Sequence, residues 1–599
     1  MVTTYPERDE NLTAFAKATL SERYLMPGET YQDLFARVAN AYGDDAAHSQ
    51  RLYDYMSKLW FMPATPVLSN GGTKRGMPIS CFLNETDDSL GGIVNLWNEN
   101  VWLAANGGGI GSYWGNLRSI GEGVRGSGKT SGVVPFLRVQ DSLTLAISQG
   151  NLRRGSSAVY MPIDHPEIEE FIDIRRPTGG DPNRKTLNIH HGVAITDKFM
   201  QAVENDDTWD LLSPKNGEVM DTIKARDLWI KLLTARVETG EPYLLFIDRV
   251  NELRPEAHKK LGLDIKTSNL CSEITLTTGR DHLGKRRTAV CCLSSLNVEN
   301  YFEWEGNKEF VTDVMRFLDN VLEDFMASAP EGMAAAVYSA MRERSVGLGV
   351  MGYHSFLQKN NLPFEGAMAK VWNKRIFKFI DEATEEASIQ LAQERGSCPD
   401  AIDAGVTARF MNKTAIAPTA SISIIAGSTS PGIEPLAANS FTHKTLSGSY
   451  TVKNHFLEKL LEEKGQNTKE VWEEISSNSG SVATLDFLTD DEKDTFKTAQ
   501  EIDQRWIIEH AADRTPHISQ SQSVNLFLAP DIHKRDLHNL HFTAWKKGLK
   551  SLYYCRSMSL KRSENVSSKS TMATIVDYKT EKMKRQHVQV DYDECLACQ

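Results

Sequence analysis

The chain has 599 residues, 40% hydrophobic and 24% charged, enough for a large core and for more than one domain. Its net charge of −12 excludes a general nucleic-acid-binding surface, which needs clustered lysine and arginine. No apolar run approaches the ~20 residues that span a bilayer, and the polar start MVTTYPERDENLTAFAK has no signal-peptide character, so a cytoplasmic protein with reduced thiols is expected.

Residues 11–60 read as helical. In ETYQDLFARVANAYG, Leu34, Val38 and Tyr42 recur at helical spacing, and Gly43 suits a stop. From FMPATPVLSNGG onward, short apolar runs alternate with Gly-rich turns and helical windows, among them HHGVAITDKFMQAV, RDLWIKLLTARVETG, EPYLLFIDRVN and TAVCCLSSLNV. That alternation predicts a mostly parallel sheet with helices on its faces, or a barrel. Residues 309–328 and 366–394 read as long amphipathic helices, and past about Asn565 the chain turns polar and charged, like a mobile tail.

Within the Gly-rich region, Gly123 to Thr130 matches the spacing G-x-x-x-x-G-K-[ST] of a phosphate-cradling loop. Its context argues against that function. GNLRSIGE upstream is no clear buried strand, and Pro135 stands five residues past Thr130, where a helix should be under way. LLFID, ending in Asp248, is the one feature that suits a magnesium-binding strand. A basic surface loop around Lys129 is the simpler reading.

Eight cysteines stand at 81, 271, 291, 292, 398, 555, 595 and 598. Cys595-Leu-Ala-Cys598 could close a disulfide or supply half of a zinc site, but no second such pair accompanies it. His538 and His541 are the nearest candidate partners, and a solvated helix face explains them more simply. A dithiol on a flexible tail suits carrying electrons. In SNLCSEI, Asn269, Cys271 and Glu273 alternate, which on a strand would point all three to one face. A thiol beside a carboxylate there suits acid–base work in a pocket as well as it suits a half-exposed strand. Tyr553-Tyr554 reads equally as strand aromatics or as a redox pair.

Taken in order, PATPVLSN…SCF, NLCSEI, AVCCLSSLNV, APTASIS…GIEP, LYYCRS and the terminal CLACQ resemble the large, catalytic subunit of class I ribonucleotide reductase, from about Pro63 to Gln599. The resemblance implies an α/β fold: a ten-stranded α/β barrel over 63–564 with a central finger loop, a helical region over 1–62 and a redox tail over 565–599. It makes Cys271 a transient thiyl radical, Glu273 the base for the substrate 3′-OH and Asn269 a hydrogen-bonding partner of the substrate. Cys81 and Cys291 become the two-electron donors; Cys292 is a vicinal alternative, although the spacing to LSSLN favours Cys291. Cys595 and Cys598 would regenerate them from a thioredoxin- or glutaredoxin-like reductant. Tyr553 and Tyr554 match a radical relay. The chain has no Glu-x-x-His pair of the kind that builds di-iron bundles, so the radical should come from a metallocofactor on a separate small subunit docked near the tyrosines, with no metal held by this chain.

The resemblance also places Thr65, Ser80, Gly108, Pro418, Thr419, Ser421 and Ser423 around a ribonucleoside diphosphate, with hydroxyls and N–H groups at a helix start holding the phosphates. Asp88, Ser89, Arg118, Gln149 and Arg153 match an allosteric site for a deoxynucleoside triphosphate or ATP at a homodimer interface, with Lys129 nearby. Only 80 residues precede Cys81, so no N-terminal ATP-cone is expected. Two competitors remain: an adenosylcobalamin-dependent reductase, which would need no inter-subunit tyrosines, and a P-loop phosphotransferase, which would need Lys129 and ignore Cys271.

Overall fold

A computed structural model describes residues 2–124, 126, 128–149, 153–445 and 448–557. Its first part is helical, as the periodicity predicts: α1 (Ala14–Arg23), α2 (Tyr31–Tyr42) and α3 (Ala46–Ser57). Thr13, Thr30 and Asp45 cap these helices by accepting from the N–H groups of Ala16, Asp33 and His48, which would otherwise lack partners. α2 ends against Gly43 and buries Leu34, Phe35 and Val38 completely. Arg51 of α3 grips Asp313 through two nitrogens, at 2.7 and 2.9 Å, which ties the helical region to the remainder of the chain.

Beyond it, two runs of parallel strands face a common interior. β1 (Cys81–Glu85), β2 (Gly109–Tyr113), β3 (Ser157–Pro162), β4 (His190–Ile195) and β5 (Tyr243–Phe246) pair in that order, all parallel. Helices make the crossovers: α4 (Leu90–Ala105) between β1 and β2, α5 (Val134–Ala146) between β2 and β3, and α6 (Ala225–Thr239) between β4 and β5. The chain then returns through β6 (Ala289–Cys291), antiparallel to β1, straight into β7 (Leu293–Asn297), which pairs in parallel with β8 (Gly347–Met351). Bridges Leu348–Thr414 and Ile416–Gln522 carry the second run onward. Tyr553 N–H donates to Val524 C=O, and β9 (Leu526–Leu528) lies parallel to β11 (Cys555–Ser557). β10 (Ser551–Leu552) closes the circuit by pairing antiparallel with β5. The second run thus has five members, β7, β8, 414–416, 522–528 and 551–557, matching the five of the first and giving the ten-stranded barrel. Outside it lie the long helices α7 (Lys308–Ser328) and α8 (Ala367–Arg395), each within a residue or so of its expected span. α9 (Lys534–Lys546) leads directly into β10.

The reading of Gly123–Thr130 as a loop without phosphate-loop architecture holds: Gly123 and Lys129 are antiparallel bridge partners, and the next helix starts only at Val134, with Pro135 in its first turn. Two other local expectations fail. Asp248 lies in the short helix Ile247–Glu252 and accepts from Asp197 N–H at 2.7 Å, so it does not end a strand. His541 is fully buried rather than solvated, because its Nε2 accepts from Arg236 Nε at 3.0 Å. Among the described residues no helix is long and apolar enough to cross a membrane.

Candidate active site

The segment between Lys266 and Thr278 has no regular secondary structure, yet Thr267–Thr277 is buried throughout. This is the expected finger loop, and the alternative in which Asn269, Cys271 and Glu273 alternate along a strand does not hold. Ser272 has φ +66°, a left-handed conformation that no strand contains, and the chain turns sharply between the thiol and the carboxylate. A buried irregular loop must find partners for its backbone, and it finds them in the surrounding barrel. Tyr160 Oη donates to Asn269 C=O at 2.6 Å, Ser523 Oγ to Cys271 C=O at 2.5 Å and Ser551 Oγ to Ser272 C=O at 3.0 Å. Ser521 N–H donates to Glu273 C=O at 2.9 Å. Within the loop, Asn269 Oδ1 accepts from Ile274 N–H at 3.2 Å. β2 passes directly beneath: a Cβ on Gly111 would stand 2.0 Å from Ser268 C=O. None of Tyr160, Ser521, Ser523 and Ser551 was legible as a loop support, because only closure of the barrel brings them there.

The loop delivers Cys271 to Tyr553, whose hydroxyl lies 3.4 Å from the sulfur. The Tyr553 and Tyr554 rings pack with centroids 4.3 Å apart, and Tyr243 of β5 sits 4.8 and 5.1 Å from them. On the other side, the ladder between β1 and β6 places Cys81 directly opposite Cys291. Directly opposed residues in an antiparallel pair have Cα atoms about 4.5–5.5 Å apart, inside the ~4.4–6.8 Å range of disulfides. Cys292 points elsewhere, with its sulfur 3.7 Å from Leu318 C=O of α7. Asn269 Nδ2 reaches Cys81 Sγ at 3.7 Å, joining loop and cysteine pair. All four thiols are buried and unbridged. Burial pushes the Cys291 thiol well above its ordinary range, and the hydrogen bond with Cys81 adds to the shift. At neutral pH it is therefore protonated, a state suited to giving up hydrogen and electrons rather than to nucleophilic attack.

The remaining expected residues fall into two groups. Ser80 is buried just before β1, Gly108 leaves no room for a Cβ against the Phe82 ring, and Thr65 Oγ1 pairs with Tyr24 Oη at 2.8 Å. Thr419 takes a left-handed φ of +57°, with its hydroxyl accepting from Gly432 N–H at 2.7 Å. Pro418 does not open a helix as expected: the helical turn is Ile422–Ile425, with Ser421 at its N-cap and Ser423 inside it. Ser423 borders a cavity shared with Ala420, Ser355, Lys453 and His455. The second group sits beyond the far end of β1. Arg118 pairs with Asp88 at 2.9 Å and donates to Gly123 C=O at 2.8 Å, so the Gly-rich hairpin leans on this ion pair. Ser89 caps α4 by accepting from Gly92 N–H at 3.0 Å. Gln149 and Arg153 are backbone partners in a two-residue ladder. Cys595 and Cys598 lie outside the described residues.

His282, Asp400 and Asp403 bring potential ligand atoms within 4.8 Å of one another. Asp400 is already held by Arg287 through both oxygens, at 2.6 and 2.8 Å, and Arg342 bridges Asp400 to Asp403. This is an ion-pair network.

Comparison with known proteins gives a consistent picture. The family model described as ribonucleotide reductase, barrel domain, matches residues 79–401 and 401–555, and that described as ribonucleotide reductase, all-alpha domain, matches 10–76. The ribonucleoside-diphosphate reductase large subunit of Invertebrate iridescent virus 3 is 39% identical, covering 97% of this chain and 99% of the viral one. The putative large subunit of Frog virus 3 is 43% identical over 91% of this chain and 94% of its own. Among solved structures, the Actinobacillus ureae class Id ribonucleotide reductase alpha subunit superposes with a TM-score of 0.80 at 35% identity, covering 92% of this chain and 98% of that one.

Proposed function

The chain belongs to the ribonucleotide reductase large-subunit family, and from that premise we propose how its residues divide the work of reducing a ribonucleoside diphosphate. The observation that carries the reading is the buried line Tyr554–Tyr553–Cys271 ending beside two opposed thiols, Cys81 and Cys291. A separate small subunit supplies the oxidising radical. Cys271 becomes a thiyl radical and takes the 3′ hydrogen atom of the substrate. Glu273 takes the 3′-OH proton while the 2′-OH leaves as water, and returns it to the 3′ oxygen when the 3′-keto intermediate is reduced. Cys81 and Cys291 supply two electrons and two protons and join as a disulfide. Cys271 then returns the hydrogen atom, yielding the 2′-deoxyribonucleotide. Enclosure in the barrel keeps water and competing donors from the radical. Exchange with Cys595 and Cys598, themselves reduced by a thioredoxin- or glutaredoxin-like protein, resets the pair.

Thr419, Ser421, Ser423 and neighbouring N–H groups hold the substrate phosphates, with Thr65, Ser80 and Gly108 along the same pocket. A deoxynucleoside triphosphate or ATP binds at Asp88, Ser89 and Arg118 and is sensed by the turn carrying Gln149 and Arg153. Exposed Leu90 and Val94 of α4 and Leu145 of α5 suit a homodimer face beside that site. The small subunit docks in the groove between α6 and α9, lined by Trp229, Ile230, Leu233, Leu537 and Phe542 under a rim of Arg226, Lys534 and Arg535. α9 runs straight into the relay, and the basic rim suits an acidic segment with apolar anchors.

The test is conversion of a ribonucleoside diphosphate to its 2′-deoxy product by this chain plus a small subunit of the family. C271S should abolish the reaction, and K129A should leave turnover in place. Product formed with adenosylcobalamin and no second subunit, or phosphotransfer that depends on Lys129, would reverse the assignment.

A further inference from the structure

Beside the relay lies a polar cluster that the reading above does not use. His190 opens β4, with its side chain about one-fifth exposed, and Nδ1 stands 2.5 Å from Glu241 Oε1. The hydroxyl of Tyr554 lies 3.3 Å from the same nitrogen. Glu241 is completely buried, and three further groups hold it: Arg175 Nε at 3.4 Å, His191 N–H at 3.0 Å and His191 Nδ1 at 3.2 Å. Burial by itself would raise this carboxyl, but Arg175 and His190 override it and hold the group well below the usual carboxylate range. It is therefore ionised, and the proton in the short contact sits on His190 Nδ1.

A ring nitrogen carrying a proton has no lone pair to offer. Tyr554 Oη therefore faces an N–H shared with Glu241, a three-centre arrangement, and the phenol's own proton must point away, towards Tyr553 and Tyr243. We propose that His190, oriented by Glu241, is a positioning residue for Tyr554, donating to its oxygen and aiming its O–H into the barrel. This rests on the tyrosines serving as a relay. In the inward step the O–H bond of Tyr553 breaks as that of Tyr554 forms, one hydrogen atom passing between them. His190 keeps its proton before and after, so the phenoxyl oxygen stays hydrogen-bonded and need not reorient.

The test uses the full chain with its small subunit and 3-aminotyrosine at position 554, where the radical accumulates. Spectroscopy of that radical in D2O should show, beyond the two deuterons of the probe's own amino group, one further exchangeable deuteron hydrogen-bonded to the phenoxyl oxygen, a readout that needs no histidine variant; its absence overturns the proposal. In the natural chain, H190F should lower kcat about tenfold with KM unchanged, the kinetic equivalent of one lost hydrogen bond. H190Q, which keeps an N–H donor, should recover most of it. If H190F matches the parent while Y554F is inactive, the positioning role falls and the relay stands. If Y554F turns over normally, the relay itself falls.

Discussion

Gly111 offers a direct way to move the finger loop without touching a reactive group. It lies in β2, and a Cβ there would meet Ser268 C=O at 2.0 Å and Asn269 Cα at 2.8 Å. Both are backbone atoms, so no side chain can swing aside. A tolerable carbon–oxygen contact is about 3.3 Å, so G111A must separate strand and loop by roughly 1.3 Å. The loop is held by hydrogen bonds from Tyr160, Ser523, Ser551 and Ser521, and part of the shift must reach Cys271, two residues past Asn269. Overpacking of this kind costs about 1–3 kcal/mol. A 1 Å misplacement at a reacting centre costs on the order of 100-fold in rate. We therefore expect G111A to fold, to lose about 1–3 kcal/mol in urea denaturation, and to reduce ribonucleoside diphosphates about 100-fold more slowly. G91A is the control: it sits in α4 with nothing within 4 Å of the added carbon, and alanine there should be neutral or stabilise by up to ~1 kcal/mol. Parental turnover by G111A would refute the claim that the loop's seat on β2 sets the position of Cys271.

Three further outcomes follow from other contacts. After turnover without external reductant, peptide mapping should find Cys81 joined to Cys291, and C292S should leave that disulfide and a single turnover intact, whereas C291S should eliminate both. Y553F removes the hydroxyl 3.4 Å from Cys271; turnover should vanish while stability falls by no more than ~0.5–1.5 kcal/mol, the worth of one hydrogen bond. Asp400 is buried; desolvation raises its pKa, but Arg287 and His258 outweigh it and hold the carboxyl below its usual range. A depressed pKa stabilises the fold above the unfolded value, near 3.9, and that contribution drains away as pH falls below it. R287M should therefore destabilise the protein by about 1.5–3 kcal/mol near neutrality, the worth of hydrogen bonds to a charged group, because Arg342 still pairs with Asp400, and thermal scans should show a weaker dependence on pH below about 4 than in the parent.

How far the sequence reaches is set by the range of the interactions concerned. α2, α7 and α8 were legible because their apolar spacing, and for α2 the stop at Gly43, are written in consecutive residues. The parallel architecture was legible from alternation alone, and Cys81, Cys271 and Cys291 stood out by chemistry and motif. The alternation of Asn269, Cys271 and Glu273 did not by itself show the finger loop: alternation implies one shared face only if every residue between is extended, and Ser272 is not. What permits that turn is a ring of donors from residues 160, 521, 523 and 551, remote from the loop in sequence. The preference for Cys291 over Cys292 rested on the spacing to LSSLN, and what separates the two is a one-residue register. In an antiparallel ladder such a step turns a side chain to the opposite face, so one residue separates a thiol opposite Cys81 from one against α7. His190 and Glu241 show the same limit. His190-His191 and Glu241-Pro242 are unremarkable as dipeptides, and only the parallel pairing of β4 with β5 brings them beside Tyr554. The chemistry could thus be expected from the ordered set of motifs and the family they resemble, not from any residue group alone, while the parts that aim it are fixed by strand register and by contacts distant in sequence.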